Sequence, residues 1–157
     1  MIDLYNDDCL KVLPKIKEET IDLIITSPPY DNLRNYNKSF AWNFDIFKSI
    51  ANELQRVLKS GGVIVWVVND ATIQGSETGT SFKQALYFNE IGLNLHDTMI
   101  WQKETFTAVG SIKTRYAPVF EYMFVLSKEK PKTFNPIIDR LNTVSYTHLR
   151  AHETSPH

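Results

Sequence analysis

The sequence predicts an α/β fold in which helices cover a largely parallel sheet. Apolar segments of strand length alternate with segments of helical period, and several of the connections between them are short. One run of six apolar residues, Val63–Val68, has the β-branched composition of a central strand that is buried on both faces. The predicted order is strand, helix, strand, helix, strand, helix, strand, strand, and ligands bind beyond the carboxyl ends of the strands in such sheets.

The first elements are short. Ile2–Tyr5 is an apolar run that we interpret as a strand, and the apolar residues between 10 and 16 indicate a short helix. Pro14 strains or ends this helix, because proline lacks the backbone N–H that a helix uses. Ile21–Thr26 follows as a stronger strand candidate.

The longest predicted element is an amphipathic helix of about four turns over Phe44–Leu58, whose apolar residues recur at a spacing of three and four. We expect Gly61-Gly62 to stop this helix before the central strand begins. The remaining predicted elements are a helix over 81–91 with Phe82, Ala85, Leu86 and Phe88 on its apolar side and Gly92 at its end, and strands over 93–101 and 119–127.

Composition excludes several classes of protein. With 157 residues and 43% hydrophobic residues, the chain fits one globular domain. Its longest apolar run is far shorter than the roughly 20 residues of a membrane helix, and its first residues are acidic where a secretory signal would be basic. The single cysteine, Cys9, excludes a disulfide framework and a multi-cysteine zinc site. We therefore predict a cytoplasmic protein without a membrane segment or a metal site.

Charge is unevenly distributed along the chain. Lys and Arg number 17 and Asp and Glu 18, which gives a net charge of −1. Residues 61–102 carry one basic and four acidic side chains, net −3, whereas residues 103–140 carry seven basic and four acidic ones, net +3. The second segment can therefore form a surface for a polyanion, and ordinary solvated faces are the alternative interpretation.

The last residues differ from the rest of the chain. Three of the four histidines, His148, His152 and His157, lie in the final ten residues, and no apolar period runs through them. The segment resembles a translated vector tail, and a metal site is the alternative. We expect a partial catalytic domain over 1–143 and a non-native or disordered tail over 144–157.

The motif with the clearest chemistry is Ser27-Pro28-Pro29-Tyr30, directly after the predicted strand. An exocyclic amine of cytosine or adenine is a poor nucleophile, because its lone pair is delocalised into the ring. The Ser27 oxygen and the Pro28 carbonyl could each accept one N–H and direct the lone pair at a methyl donor. Pro29 restricts Pro28 and adds no N–H, and Tyr30 offers a ring on which an extruded base can stack.

At these residues the sequence resembles the amino-DNA methyltransferases, which methylate N4 of cytosine or N6 of adenine with S-adenosylmethionine. The resemblance covers about residues 2–140 and implies a Rossmann-like methyltransferase fold, DNA as the substrate and Ser27, Pro28, Pro29 and Tyr30 as catalytic residues. Thr-Ser-Pro-Pro-Tyr is commoner among the cytosine-N4 enzymes, which favours cytosine. The resemblance also allows a cognate restriction endonuclease as a partner and leaves the oligomeric state open.

Further segments are similar to other elements of the family. Asn6-Asp7-Asp8-Cys9-Leu10 looks like the acidic element before the catalytic strand, which implies that Asp8 lies near the cofactor's adenine; capping of the short helix is an equally good interpretation. The chain around Trp101 and the segment from Arg115 to Lys128 resemble elements near the base pocket. The residues predicted to contact DNA or the base are Lys103, Lys113, Arg115 and Tyr116.

One element of the family is missing. No glycine of this chain stands in a loop like Asp-Pro-Phe-x-Gly-x-Gly, and only 26 residues precede Ser27. The cofactor loop would therefore follow the motif, as in the permuted β-type subgroup, and we expect an incomplete fold that holds the catalytic half of the sheet and is inactive by itself.

Other functions remain as alternatives to this one. They are an RNA or protein-glutamine N-methyltransferase and a non-catalytic DNA-binding fragment. A dehydrogenase lacks support because no Gly-x-Gly-x-x-Gly follows a strand, and a cytosine-C5 enzyme would need a Pro-Cys nucleophile.

Overall fold

A computed structural model describes residues 2–30, 42–104, 114–116 and 118–137. These residues form a four-stranded sheet, a two-stranded hairpin, three α-helices and one short 3₁₀ helix. In chain order the elements are α1 (Cys9–Val12), the 3₁₀ helix (Leu13–Lys15), β1 (Ile21–Thr26), α2 (Phe44–Val57), β2 (Leu58–Val68), β3 (Thr72–Ile73), β4 (Ser76–Glu77), α3 (Thr80–Glu90), β5 (Asn94–Gln102) and β6 (Phe120–Ser127). The predicted α/β class is confirmed.

Two predictions about single elements are wrong. Ile2–Tyr5 is not a strand, because no described strand pairs with its backbone, and its apolar side chains are exposed. Gly61-Gly62 does not stop the long helix, which ends at Val57 and passes directly into β2. Gly61 instead lies within β2 at φ +78°, where an added Cβ would collide with the Lys132 side chain.

The sheet has the order β1-β2-β6-β5, and its directions differ from the prediction. Among the strands that the structure describes, only β1 and β2 pair in parallel, whereas β6 pairs antiparallel with both β2 and β5. The crossover through α3 does bring β5 parallel to β2, but β6 lies between them. The expected largely parallel sheet is therefore a mixed one in the described part of the chain.

One face of the sheet is covered by α2 and α3. Phe47 of α2 contacts the rings of both Trp66 on β2 and Phe88 on α3, with centroids 5.7 and 5.3 Å away. The indole N–H of Trp66 donates to the buried Gln84 side chain at 2.8 Å, so the one polar atom of that ring is satisfied. The other large buried side chains of this core are Leu58, Ile64, Leu93, Phe124 and Leu126.

The opposite face is more open than predicted. In β2, Ile64, Trp66 and Val68 point to the helices and are buried, whereas Val63 and Val65 are only half-buried. Apolar side chains of the two edge strands, β1 and β5, are exposed on this face because no described helix packs against it; they are Leu23, Ile25, Met99 and Trp101. We call this set the open face.

The apolar side of α3 also differs from the expectation. Ala85 and Phe88 are buried, but Phe82 and Leu86 are exposed, and Ser81 and Gln84 are buried in their place. None of the helices that the structure describes is long and apolar enough to cross a membrane.

Candidate active site

The Ser-Pro-Pro-Tyr motif begins at the residue after β1 ends. Thr26, the last residue of β1, is level with Trp66 on β2, and β2 continues for two further residues beyond that point. Ser27 is exposed, whereas Pro28, Pro29 and Tyr30 are half-buried. The motif therefore lies at the carboxyl end of the sheet with its serine open to solvent, which is where a ligand can reach it.

Tyr30 connects the motif to a strand that is not adjacent to β1. Its hydroxyl donates a hydrogen bond to Glu121 Oε2 on β6 at 2.7 Å, and it lies 2.9 Å from Ser27 Oγ. Because β2 separates β1 from β6, the tyrosine side chain passes over the carboxyl end of β2. This contact fixes the direction of the ring relative to Ser27.

Glu121 is the charged residue at the centre of this arrangement. Its side chain is only 8% exposed, and its second carboxylate oxygen, Oε1, forms an ion pair with Lys103 Nζ. The strand register brings the two together, since Glu121 pairs with Trp101 and the Lys103 N–H donates to Val119. A buried carboxylate is costly without such partners, and here each of its oxygens has one.

Sequence reasoning did not identify Glu121. It is the only charged residue in β6, Phe120–Ser127, whose other residues are mostly apolar. A carboxylate in a strand of that composition is uncommon unless it is paired or functional, and this signal could have been used.

The residues after β2 hold the site end of the sheet together. Asn69 donates to the Phe120 carbonyl at 3.2 Å, which ties the end of β2 to the start of β6. The Asp70 carboxylate accepts from the Ser81 N–H at 2.9 Å and from its hydroxyl at 2.6 Å. Because Gly79 at the N-cap of α3 has no side chain, Asp70 provides the acceptor at this helix start.

Asp8 is engaged with the backbone of α1. Its carboxylate accepts from the Leu10 N–H at 2.9 Å and caps the helix, as one of the two interpretations expects. Desolvation, and then the charge of the adjacent Asp8, raise the pKa of the Cys9 thiol. The thiol therefore stays protonated at neutral pH, which does not suit a nucleophile.

The other predicted contact residues lie in different surroundings. Lys103 contacts Glu121 as described, whereas Arg115 donates to Thr72 Oγ1 at 3.3 Å and to the Gly75 carbonyl of the β3–β4 hairpin. Tyr116 is almost fully exposed. Lys113 and the tail over 144–157 lie outside the described residues. No described group of three His, Cys, Asp or Glu side chains could hold a metal ion.

A groove of about 420 Å³ lies between the start of α2, the hairpin and the start of α3. Trp42, Ile73 and Lys83 are among its lining residues, and none of the four motif residues lines it. The groove is therefore separate from the arrangement around Ser27.

Comparisons with known proteins agree with this geometry. A family model described as DNA methylase, the N6 and N4 methyltransferases, matches residues 21–155. The orphan methyltransferase M.BamHII of Bacillus amyloliquefaciens is 58% identical over 123 residues, which cover 78% of this chain and 44% of that protein. The chain thus spans about half the length of this relative.

Solved structures show the same fold. The PvuII DNA methyltransferase, named as cytosine-N4-specific, superposes with a TM-score of 0.67 at 26% identity, over 82% of this chain and 50% of that one. The complex of M1.HpyAVI with S-adenosylmethionine superposes with a TM-score of 0.61 at 20% identity, over 90% of this chain and 61% of that one. The sheet and helices described above are therefore part of a Rossmann-like methyltransferase fold, and the chain belongs to the family of N6 and N4 amino-DNA methyltransferases.

Proposed function

We propose that this chain forms the amine-binding half of a DNA methyltransferase that methylates N4 of cytosine or N6 of adenine. The observation that carries the proposal is the exposed Ser27 at the end of β1, beside a tyrosine that Glu121 holds in place. The likeness to a cytosine-N4-specific enzyme at 26% identity favours cytosine. The family match disfavours an RNA or protein-glutamine substrate.

In this proposal the motif binds the amino group through two acceptors. Ser27 Oγ takes one N–H and the Pro28 carbonyl takes the other, which favours a pyramidal nitrogen with its lone pair directed away from both. Fixed acceptors of this kind stabilise the transition state more than the planar ground state of the amine. Pro29 helps because it confines Pro28 to an extended conformation.

Tyr30 has a second role in the proposal, as the surface on which the flipped base stacks. Stacking on an aromatic ring contributes roughly 1–3 kcal/mol per base. The hydrogen bond to Glu121 holds the ring in one orientation, so less conformational entropy is lost when the base enters.

The methyl donor of this family is S-adenosylmethionine, which supplies an electrophilic methyl group. The described residues do not make a complete cradle for it, since Gly75 and Gly79 belong to the hairpin and its exit, and Asp8 caps α1. The cofactor contact of Asp8 and the DNA contacts of Lys103, Lys113, Arg115 and Tyr116 are proposals. A cytoplasmic site of action and a cognate endonuclease are likewise proposed.

A chimaera tests the function, because the chain covers less than half of its relative. In this chimaera, the present chain replaces the segment of M.BamHII that it matches. We expect methylation of DNA, with the modified base and its position identified by mass spectrometry and sequencing. Ser27→Ala should lower kcat by about 100-fold without loss of the fold.

The matched control is Ser60→Ala, which removes a hydrogen-bonded serine hydroxyl at the other end of β2 and should leave activity unchanged. Full activity of the Ser27→Ala chimaera would refute the role of Ser27.

For the isolated chain we expect weak or no cofactor binding by calorimetry. Salt-dependent DNA binding by a chimaera that transfers no methyl group would favour a non-catalytic DNA-binding fragment.

A further inference from the structure

The contacts around Glu121 form a series of hydrogen bonds that begins at a buried charge and ends at the exposed motif serine. Lys103 pairs with one oxygen of the Glu121 carboxylate, and the other oxygen accepts from the Tyr30 hydroxyl at 2.7 Å. The Tyr30 oxygen lies 2.9 Å from Ser27 Oγ. Burial decreases along this series of hydrogen bonds, from the nearly inaccessible Glu121 to the half-buried Tyr30 and the exposed Ser27.

The direction of each hydrogen bond follows from the number of protons. An ionised carboxylate only accepts, so Tyr30 must donate its single hydroxyl proton to Glu121. The Tyr30 oxygen can then take part in the contact with Ser27 only as an acceptor, which makes Ser27 the donor. Ser27 therefore donates its one hydroxyl proton to Tyr30, and the lone pairs of Ser27 Oγ remain available to accept a hydrogen bond from a ligand.

We infer that Glu121 is a positioning residue that acts through Tyr30 to present Ser27 as a hydrogen-bond acceptor, and so selects an amino group over a carbonyl group on the target base. The inference rests on the proposed function, because it concerns the base that the motif binds. A base with an amino group donates to Ser27, whereas its oxo counterpart would place a carbonyl oxygen against the serine lone pairs. Contacts between two acceptors are unfavourable, and the site thus discriminates by polarity rather than by shape.

Lys103 makes the arrangement testable by one conservative substitution. In Glu121→Gln the ammonium group of Lys103 attracts the amide oxygen and repels the amide NH₂, so the NH₂ turns toward Tyr30. Tyr30 must then accept from this amide, and its own proton goes to Ser27 Oγ. The Ser27 hydroxyl is then free to donate its proton to a ligand. The hydrogen bonds between residue 121, Tyr30 and Ser27 thus all reverse their direction, with little change in side-chain volume.

The experiment compares binding of two DNA duplexes by the chimaera described above. One carries the target base at the mapped position and the other carries its oxo counterpart, uracil for cytosine or hypoxanthine for adenine. We expect the unsubstituted chimaera to prefer the amino base, and Glu121→Gln to reduce the ratio of the two dissociation constants by about tenfold. The cost of opening each duplex is the same for every variant and cancels when the ratios are compared.

Two further variants make the result specific. Tyr30→Phe keeps the ring but removes the hydroxyl that links Glu121 to Ser27, so it should also reduce the ratio of the two dissociation constants. If circular dichroism shows that Glu121→Gln is unfolded, the test is made with Tyr30→Phe instead. Glu129→Gln is the matched control, because Glu129 also accepts from a serine hydroxyl, that of Ser60, at the other end of β2. This control should keep the ratio of the unsubstituted chimaera.

The outcomes separate the two proposals. Methylation together with an unchanged ratio in both Glu121→Gln and Tyr30→Phe would overturn the inference and leave the proposed function intact. A loss of stability or activity at a constant ratio would assign Glu121 a merely structural role and would also overturn it. A chimaera that methylates no DNA although it is folded would overturn the proposed function, and the inference with it.

Discussion

The two faces of the sheet differ in how far the described chain completes them. On the face covered by α2 and α3, Trp66 is 1% exposed and lies among aromatic rings, whereas Ile25 and Trp101 on the open face are 68% and 54% exposed. Strands alternate their side chains between faces, so the same backbone serves both. The difference shows that the described residues complete one hydrophobic layer and leave part of the other exposed.

The candidate site lies on the less complete face. Glu121 alternates with Tyr122 and Phe124, which point to the helices, and it pairs with Trp101 of the open face. It is nevertheless buried, because Tyr30 and Lys103 cover it. Tyr30 of the motif therefore covers the part of this face where Glu121 lies, while Leu23, Ile25, Met99 and Trp101 on the same face stay exposed.

The largest effect is expected from the two tryptophans that mark the two faces. Trp66→Ala leaves a cavity between α2, α3 and the sheet, and should lower the free energy of unfolding by about 3–5 kcal/mol. Trp101→Ala, the matched control, should cost less, about 1–2 kcal/mol, because just over half of that residue is already in water. Urea denaturation of the full chain measures both, and equal losses would contradict the difference between the faces.

A smaller effect is expected at the start of α3, which covers the complete face. Asp70→Ala removes the acceptor for the Ser81 N–H and leaves the buried Ser81 hydroxyl without that partner. We expect a loss of about 2 kcal/mol in the free energy of unfolding. Asp70→Asn keeps an acceptor oxygen and should lose less; a larger loss with Asn than with Ala would argue against a capping role.

The smallest effect is expected from charges on the open face. Exposed apolar sheet surface promotes association, so the isolated chain should self-associate in analytical ultracentrifugation. Ile25→Lys combined with Met99→Lys should weaken this association by about tenfold in dissociation constant. The control places lysines at two exposed polar positions, Asn89 and Asn94. Equal association of both double variants would show that the open face is not the contact surface.

Local patterns predicted most elements but not their arrangement. The strand Ile21–Thr26 has the bounds that its composition indicates, and α2 ends one residue from its predicted limit, because the apolar spacing reports directly on burial along one helix side. Strand direction could not be obtained in this way. β6 lies between β2 and β5, and such pairing depends on residues far apart in the chain.

The residues of the candidate site likewise fall into those that a local pattern identifies and those that only the fold brings together. Ser27 and Tyr30 could be identified from four consecutive residues after a strand, since the chemistry of the motif is local. Glu121 contacts Tyr30 across 91 positions of sequence, and no pattern around either residue reports that contact. The roles predicted for Asp8 and Arg115 stay predictions. The structure adds that Asp8 caps α1 and that Arg115 contacts the β3–β4 hairpin.

The sequence by itself determined the family, the position of the Ser-Pro-Pro-Tyr motif at a strand end and the helices of the covered face, because each depends on neighbours within a few residues. Only the tertiary structure decided the mixed direction of the sheet, the exposure of its second face and the hydrogen-bond polarity of Ser27. These properties arise where β1, β5 and β6 meet around one buried carboxylate, and a burial or a proton direction is defined only by the partners that surround it.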